Sequence, residues 1–186
     1  RGLVGSEMCI RDRTQGSSLP VPLGAYGLAA FEDQIYLFGG RDDAGYTDLV
    51  LRYDPQADEW HASTPLDRAR GFVGAATVGE RIYVAGGYDD EWEFNDLAAF
   101  EPSSDTWIPL SPMTQRRGGL ALVAVRDYLY AIGGGMTGYL AFNERYEPDA
   151  DAWHAFETPI AGQWRNLGLA ATDVNLYAIG GWGGEY

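Results

Sequence analysis

Residues 81–87, Arg81-Ile82-Tyr83-Val84-Ala85-Gly86-Gly87, decide the fold, because their pattern returns along the chain at one fixed interval. The glycine pair recurs as Gly39-Gly40, Gly133-Gly134 and Gly180-Gly181, 47 residues apart each time. Ahead of each pair an apolar-Tyr doublet keeps the register, as Ile35-Tyr36, Ile82-Tyr83, Leu129-Tyr130 and Leu176-Tyr177. Behind them Tyr53-Asp54-Pro55 matches Phe100-Glu101-Pro102 and Tyr146-Glu147-Pro148, while Trp60 matches Trp107 and Trp153. The last of these intervals is one residue shorter between glycines and tryptophan, a deletion that a surface loop absorbs. Self-similarity of this length marks a repeat architecture.

Inside each unit, short runs rich in Val, Ile, Tyr and Phe are bounded by Gly, Pro and Asp, which reads as strands. The second unit gives four of them: Gly71 to Val78, Arg81 to Ala85, Leu97 to Glu101 and Thr106 to Pro109. No stretch sustains a 3.6-residue apolar period, so helix is not expected. Four strands joined by short turns form one antiparallel meander, and meanders repeated at this period are the signature of propeller blades.

The glycine pair, the following Tyr-Asp-Pro and the spaced tryptophan resemble kelch repeats from Leu23 to the C-terminus. The expected fold class is all-β, an incomplete arc of four-stranded antiparallel blades of a kelch-type β-propeller. Blades are expected at residues 23–66, 67–113 and 114–160, with a partial fourth at 161–186 that stops in mid-unit. Residues 1–22 read as a non-native or flexible leader outside the fold. Paired glycines allow positive φ and close approach of a neighbouring blade. Trp60, Trp107 and Trp153 supply large apolar faces for the wedge between blades, so these motif residues read as structural.

Composition sets further bounds. The chain has 27 acidic residues against 13 basic ones, all arginine, for a net charge of −14. Such a charge repels phosphates, which excludes a nucleic-acid partner. The longest apolar stretch, Leu120 to Val125, is far short of the roughly 20 residues of a membrane-spanning helix, so no membrane partner is expected. The single cysteine, Cys9, makes no internal disulfide and no thiolate metal site.

Motifs of chemistry are few. Gly133-Gly134-Gly135-Met136-Thr137-Gly138 matches a dinucleotide fingerprint, but the fingerprint needs a helix to follow, whereas here a third strand does. His61 and His154 occupy equivalent positions in different blades, which argues against a shared metal. Asp42-Asp43 with Asp48, and Asp149 with Asp151, lack calcium-loop spacing. Lysine is absent, so Schiff-base chemistry has no side chain to use. Neither cofactor nor metal is expected.

Topology gives one functional inference. In an antiparallel meander, the connection entering the first strand and the one joining the second to the third lie at the same edge. That edge gathers Arg41, Tyr46, Arg70, Tyr88, Trp92, Arg117, Tyr139 and Arg165, the candidate ligand-binding residues, with Arg68, Arg116 and Trp182 beside them. The opposite edge carries twelve carboxylates, among them Asp58, Asp105, Asp127 and Asp151, opposed by Arg81 and Arg126. Arginine with exposed aromatics is the composition of binding hot spots and anionic-ligand pockets. The alternative for Arg70 and Arg117 is that they brace loops, and at this level both readings stand.

Kelch propellers resemble scaffolds that present loops to a partner, so the resemblance implies an interaction module for a protein, peptide or carbohydrate ligand, completed by missing blades of its own chain. The mixed face would engage an acidic or carbohydrate-bearing ligand. The enzymatic alternative is a fragment of a cofactor-independent kelch enzyme acting on sugars, resembling sialic-acid mutarotase, which works through arginine and carboxylate. A copper enzyme resembling galactose oxidase is disfavoured, since Cys9 lies outside the repeats and the two histidines sit in different blades. Binding is favoured over catalysis.

Overall fold

The computed structural model describes residues 15–138, 142–156 and 165–183. Strands β1 (Gly27–Phe31), β2 (Gln34–Phe38), β5 (Val50–Asp54) and β6 (Glu59–Ser63) form the first four-stranded antiparallel sheet in that order. A small hairpin, β3 (Arg41–Asp42) with β4 (Gly45–Tyr46), fills the connection between its second and third strands. The second sheet is β7 (Gly74–Val78), β8 (Arg81–Ala85), β9 (Leu97–Glu101) and β10 (Thr106–Leu110). The third is β11 (Ala121–Val125), β12 (Tyr128–Ile132), β13 (Asn143–Glu147) and β14 (Ala152–Phe156). A two-stranded sheet follows, β15 (Gly168–Ala171) paired with β16 (Leu176–Ile179). The described residues contain no helix. The sheets form an arc that does not close.

Strand alternation sends one face of each blade to each neighbour. Tyr36, Phe38 and Val50 of the first blade pack with Ile82, Val84 and Phe100 of the second. The other face of the second, through Tyr83, Leu97 and Ala99, packs with Leu122, Leu129 and Tyr146 of the third. Ala121 and Ile132 of the third meet Leu167, with Leu169 and Leu176 against them. Tyr36, Phe38, Leu129 and Tyr146 are all buried. At about 25 cal/mol per Å² of apolar area, this burial is the main force joining successive blades.

The first strand of the second blade begins at Gly74 rather than Gly71. The reason lies at Phe72, which takes a left-handed conformation (φ 55°), as do Ala25 (56°), Gly119 (66°) and Asn166 (53°) at the same 47-residue spacing. For Ala and Phe this costs energy, so something must hold it. What holds it is a relay of backbone bonds from blade to blade. Phe72 N donates to Ala25 O at 2.6 Å, Gly119 N to Phe72 O at 2.8 Å, and Asn166 N to Gly119 O at 2.8 Å. The glycine pairs serve the same junctions. A Cβ on Gly39 (φ 61°) would lie 2.2 Å from Arg70 O, and one on Gly86 (φ 63°) 2.4 Å from Arg117 O, so the next blade's backbone occupies that space.

A second set of seams joins the outermost strands of successive blades, from the end of one fourth strand to the next blade's turn between third and fourth strands. Asp58, Asp105 and Asp151 sit left-handed in the turns between third and fourth strands, a conformation Asp tolerates. Asp105 and Asp151 each receive a hydroxyl residue that ends the fourth-strand segment of the blade before: Ser111 Oγ donates to Asp151 at 3.0 Å and Thr64 Oγ1 to Asp105 at 2.9 Å. Their backbone N–H groups donate as well. The motif tryptophans complete the seam, Trp107 Nε1 donating to Thr64 O at 3.0 Å and Trp153 Nε1 to Ser111 O at 2.8 Å.

Ser17 makes two of these contacts with the first blade, although its hydroxyl donates to the Asp58 backbone carbonyl at 2.6 Å instead of the carboxylate. Its N–H donates to Asp58 Oδ1 at 2.6 Å, and its carbonyl accepts from Trp60 Nε1 at 3.1 Å. This corrects the reading of residues 1–22 as a leader outside the fold: Ser17 stands 47 residues before Thr64 and does the same work. Residues 1–14 of that leader lie outside the described residues.

Candidate functional site

Pairing between the connections confirms which loops share an edge. Gly24 bridges Arg41, Gly71 bridges Tyr88, and Arg165 bridges Trp182, so each entering segment lies against its own blade's second-to-third loop.

Four of the eight candidate residues meet where the first two blades adjoin. Arg41, exposed on the small hairpin, lies 3.6 Å from Asp90 Oδ2 and 5.3 Å above the Tyr46 ring. Tyr46 donates its hydroxyl to Asp90 Oδ1 at 3.3 Å and meets the Tyr88 ring edge-on at 6.2 Å. Burial first, and the Asp90 carboxylate next, push the Tyr46 hydroxyl above its ordinary pKa, so it stays a neutral donor at neutral pH. Tyr88 donates to Asp90 O at 2.8 Å. Trp92 projects from this cluster with 55% of its surface exposed. An Asx turn aims it, since Asp89 Oδ1 accepts Glu91 N at 3.0 Å and Trp92 N at 2.7 Å.

Glu93 fixes the loop from beneath. Although 8% exposed, it is satisfied: Oε2 accepts Gly118 N at 3.1 Å, while Oε1 accepts Thr137 N at 2.6 Å and Thr137 Oγ1 at 2.7 Å. The base of the patch is therefore tied to the third blade, which preorganises the exposed ring above it. Asp90 and Glu93 are residues the sequence reading missed; the signal was the acidic pair Asp89-Asp90 just ahead of an aromatic, a turn-forming arrangement.

Arg70 and Arg117 are placed differently. Expected on exposed loops, they are 2% and 0% exposed. Arg70 Nη1 donates to Gly86 O at 3.2 Å and pairs with Asp96, while Nη2 reaches Asp67 Oδ1 at 3.1 Å. Arg117 Nη1 donates to Gly133 O at 3.0 Å and Phe142 O at 2.8 Å, and Nη2 to Glu144 Oε2 at 2.8 Å. Burial lowers the Arg117 pKa, and the Glu144 carboxylate opposes that shift. Both guanidiniums clasp the carbonyl of the first motif glycine of their blade, Gly86 or Gly133, against the loops around it. Their exposed neighbour Arg68 lies 4.9 Å over Phe94 and pairs with Asp67.

Arg165 sits at a different repeat position, aligned with Gly71 and Gly118 rather than with the buried arginines. It stacks 4.3 Å over Trp182 and donates to Met136 O at 3.0 Å. Tyr139 lies outside the described residues. Among the described residues no group of three or more His, Cys, Asp and Glu is arranged to hold a metal ion.

An arc of twisted four-stranded blades, packed face to face with loop clusters at one edge, defines a β-propeller domain. A family model, the KLHDC2/KLHL20/DRC7 Kelch-repeats domain, matches residues 7–182, and the chain belongs to the kelch-repeat family. The solved structure titled "Structure of YjhT" is similar, with a TM-score of 0.73 and 20% identity, covering 86% of this chain. The chain spans 58% of the length of that structure, and the likeness at this identity is one of fold. Comparison with curated proteins gives no match.

Proposed function

We propose that this kelch domain is an interaction module whose contact surface is the patch of Arg41, Tyr46, Tyr88 and Trp92 spanning the first two blades. The observation that carries the reading is Trp92, a large ring 55% exposed on a loop fixed by Asp89 and Glu93. A rigid exposed tryptophan beside tyrosines and an arginine is the usual make-up of a binding hot spot.

Charge refines the partner. With Arg70 and Arg117 engaged in buried bonds, the accessible loops of this edge carry Asp42, Asp43, Asp67, Asp89, Asp90 and Glu91 against Arg41, Arg68 and Arg116. That favours a protein or peptide segment bearing basic residues over the acidic ligand expected from the arginine count. The sugar-enzyme alternative depends on accessible arginines, and two of those expected to supply them, Arg70 and Arg117, are sequestered.

The test is a screen of peptide and glycan arrays with the wild-type domain, Trp92→Ala, Arg41→Ala and, as an opposite-edge control, Arg81→Ala. Basic peptides should bind, with loss in Trp92→Ala, no loss in Arg81→Ala, and binding no weaker than wild type in Arg41→Ala, which frees Asp90 from its paired cation. Binding to glycans only would replace a peptide by a carbohydrate partner, and equal binding by Trp92→Ala would sink the assignment.

A further inference from the structure

A cavity of about 310 Å³ opens in the seam between the first two blades, and Trp92 is not among the residues that line it. Its walls are apolar: Leu66, Leu97, Ala98, Trp107 and Pro109, with Arg70 beside them. The volume lies at the lower end of ligand sites, roughly 300–1,000 Å³, which suits one side chain rather than a whole small molecule.

The repeat explains why the space exists. Aligned on Phe100 and Tyr146, Ala98 of the second blade corresponds to Glu144 of the third. Glu144 there is wholly buried, its carboxylate accepting from Thr114 N at 2.9 Å, Thr114 Oγ1 at 2.7 Å and Arg117 Nη2 at 2.8 Å. In the second blade this side chain is cut back to a methyl group. The carboxylate work passes to Asp67, at the position of Thr114, and to Asp96, which both hold Arg70. What is vacated is an apolar slot roofed by an ion-paired arginine.

The rim sets the partner's chemistry. Asp67 and Asp96 are 57% and 34% exposed and share the buried Arg70, with Arg68 pairing Asp67 from the solvent side. Arg68 and Arg70 balance these two carboxylates, so the attraction for a cation near the mouth comes from the net charge of −14 on the whole molecule. We propose that this cavity is an anchor pocket for a protein partner, taking one apolar side chain of a peptide segment whose neighbouring residues are basic. The inference rests on the reading of the chain as an interaction module but assigns a second surface.

The experiment selects short random peptides from an array against the whole chain and measures the selected peptides by fluorescence anisotropy. Wild type, Ala98→Leu, Ala98→Met and Trp92→Ala are compared, with folding of each checked by circular dichroism. The expected result is peptides carrying an apolar residue flanked by Lys or Arg, weakened by about tenfold or more in both cavity-filling variants, as for loss of one anchor, and unchanged in Trp92→Ala. Should the filled variants fail to fold, NMR of the wild type replaces them: the Trp107 indole N–H resonance, identified with Trp107→Phe, should move on adding such a peptide. Peptides lost in Trp92→Ala but retained by the filled variants overturn the pocket and leave the loop patch standing. The reverse pattern upholds the pocket and removes the loop patch for those peptides. No selected peptides, or an unmoved Trp107 resonance, overturns the pocket as well.

Discussion

Replacing Glu144 by Ala should be among the most damaging single changes in the protein. The carboxylate is wholly buried and accepts three hydrogen bonds, two from Thr114 and one from Arg117. Its removal leaves a guanidinium with 0% exposure and without its directly paired carboxylate, with Glu93 the remaining nearby negative charge, and strips Thr114 of its acceptor. Breaking a buried pair by deleting one partner costs about 3–5 kcal/mol. For a domain of this size each kcal/mol lowers the melting midpoint by about 2–4 °C, so the expected loss is roughly 6–20 °C. The control is Glu101→Ala, which breaks a pair with Arg81 at 2.7 Å where the side chains are 30% and 43% exposed. An exposed pair of that kind is worth about 0.2–1 kcal/mol. Glu144→Gln, which keeps an acceptor for Thr114 but loses the charge, should fall between the two. Thermal unfolding followed by circular dichroism, with denaturant titration for the free energies, gives all three. A Glu144→Ala protein no less stable than Glu101→Ala would refute the assignment of Arg117 as a buried brace.

Three further outcomes are expected. The Asp151 carboxyl is held below its ordinary pKa by the Tyr146 hydroxyl first and the Ser111 N–H next, so its seam stabilises the fold above the unfolded value of about 3.9. That stability is lost as pH falls through the lower folded value, and Asp151→Asn should flatten acid unfolding below about pH 4. Phe100→Tyr should restore a hydroxyl to Asp105, as Tyr146 supplies one to Asp151 at 2.6 Å, and raise stability by about 0.5–1.5 kcal/mol in denaturant titration; a loss would mean the ring cannot place its oxygen there. Moderate salt should raise the melting midpoint by screening the carboxylate-rich edge over about 8–10 Å, and a flat or falling midpoint would mean that the seams already neutralise it.

The period of 47 residues made the blades legible, since the glycine pair and the tryptophan recur as identities. Two features escaped for physical reasons. Ser17, Thr64 and Ser111 share a hydroxyl and a hydrogen-bonding role rather than an identity, although Leu19, Leu66 and Met113 two residues on keep the apolar register. The burial of Arg70 and Arg117 is invisible to a repeat search because their partners move. Asp96 aligns with Phe142, whereas Glu144 aligns with Ala98, so equivalent arginines are neutralised from positions two residues apart. The loop patch was half legible: topology gathered Arg41, Tyr46, Tyr88 and Trp92 at one edge, but Asp90, which joins the two loops, carries no motif.

The most direct test of the interaction-module account is hydrogen exchange on the domain, free and bound to the tightest basic peptide from the array. The account predicts slowed exchange at residues 41–47 and 88–94, abolished by Trp92→Ala. Slowed exchange confined to the opposite edge, around Gly79, Arg126 and Asp149, or no change at either edge, would contradict it.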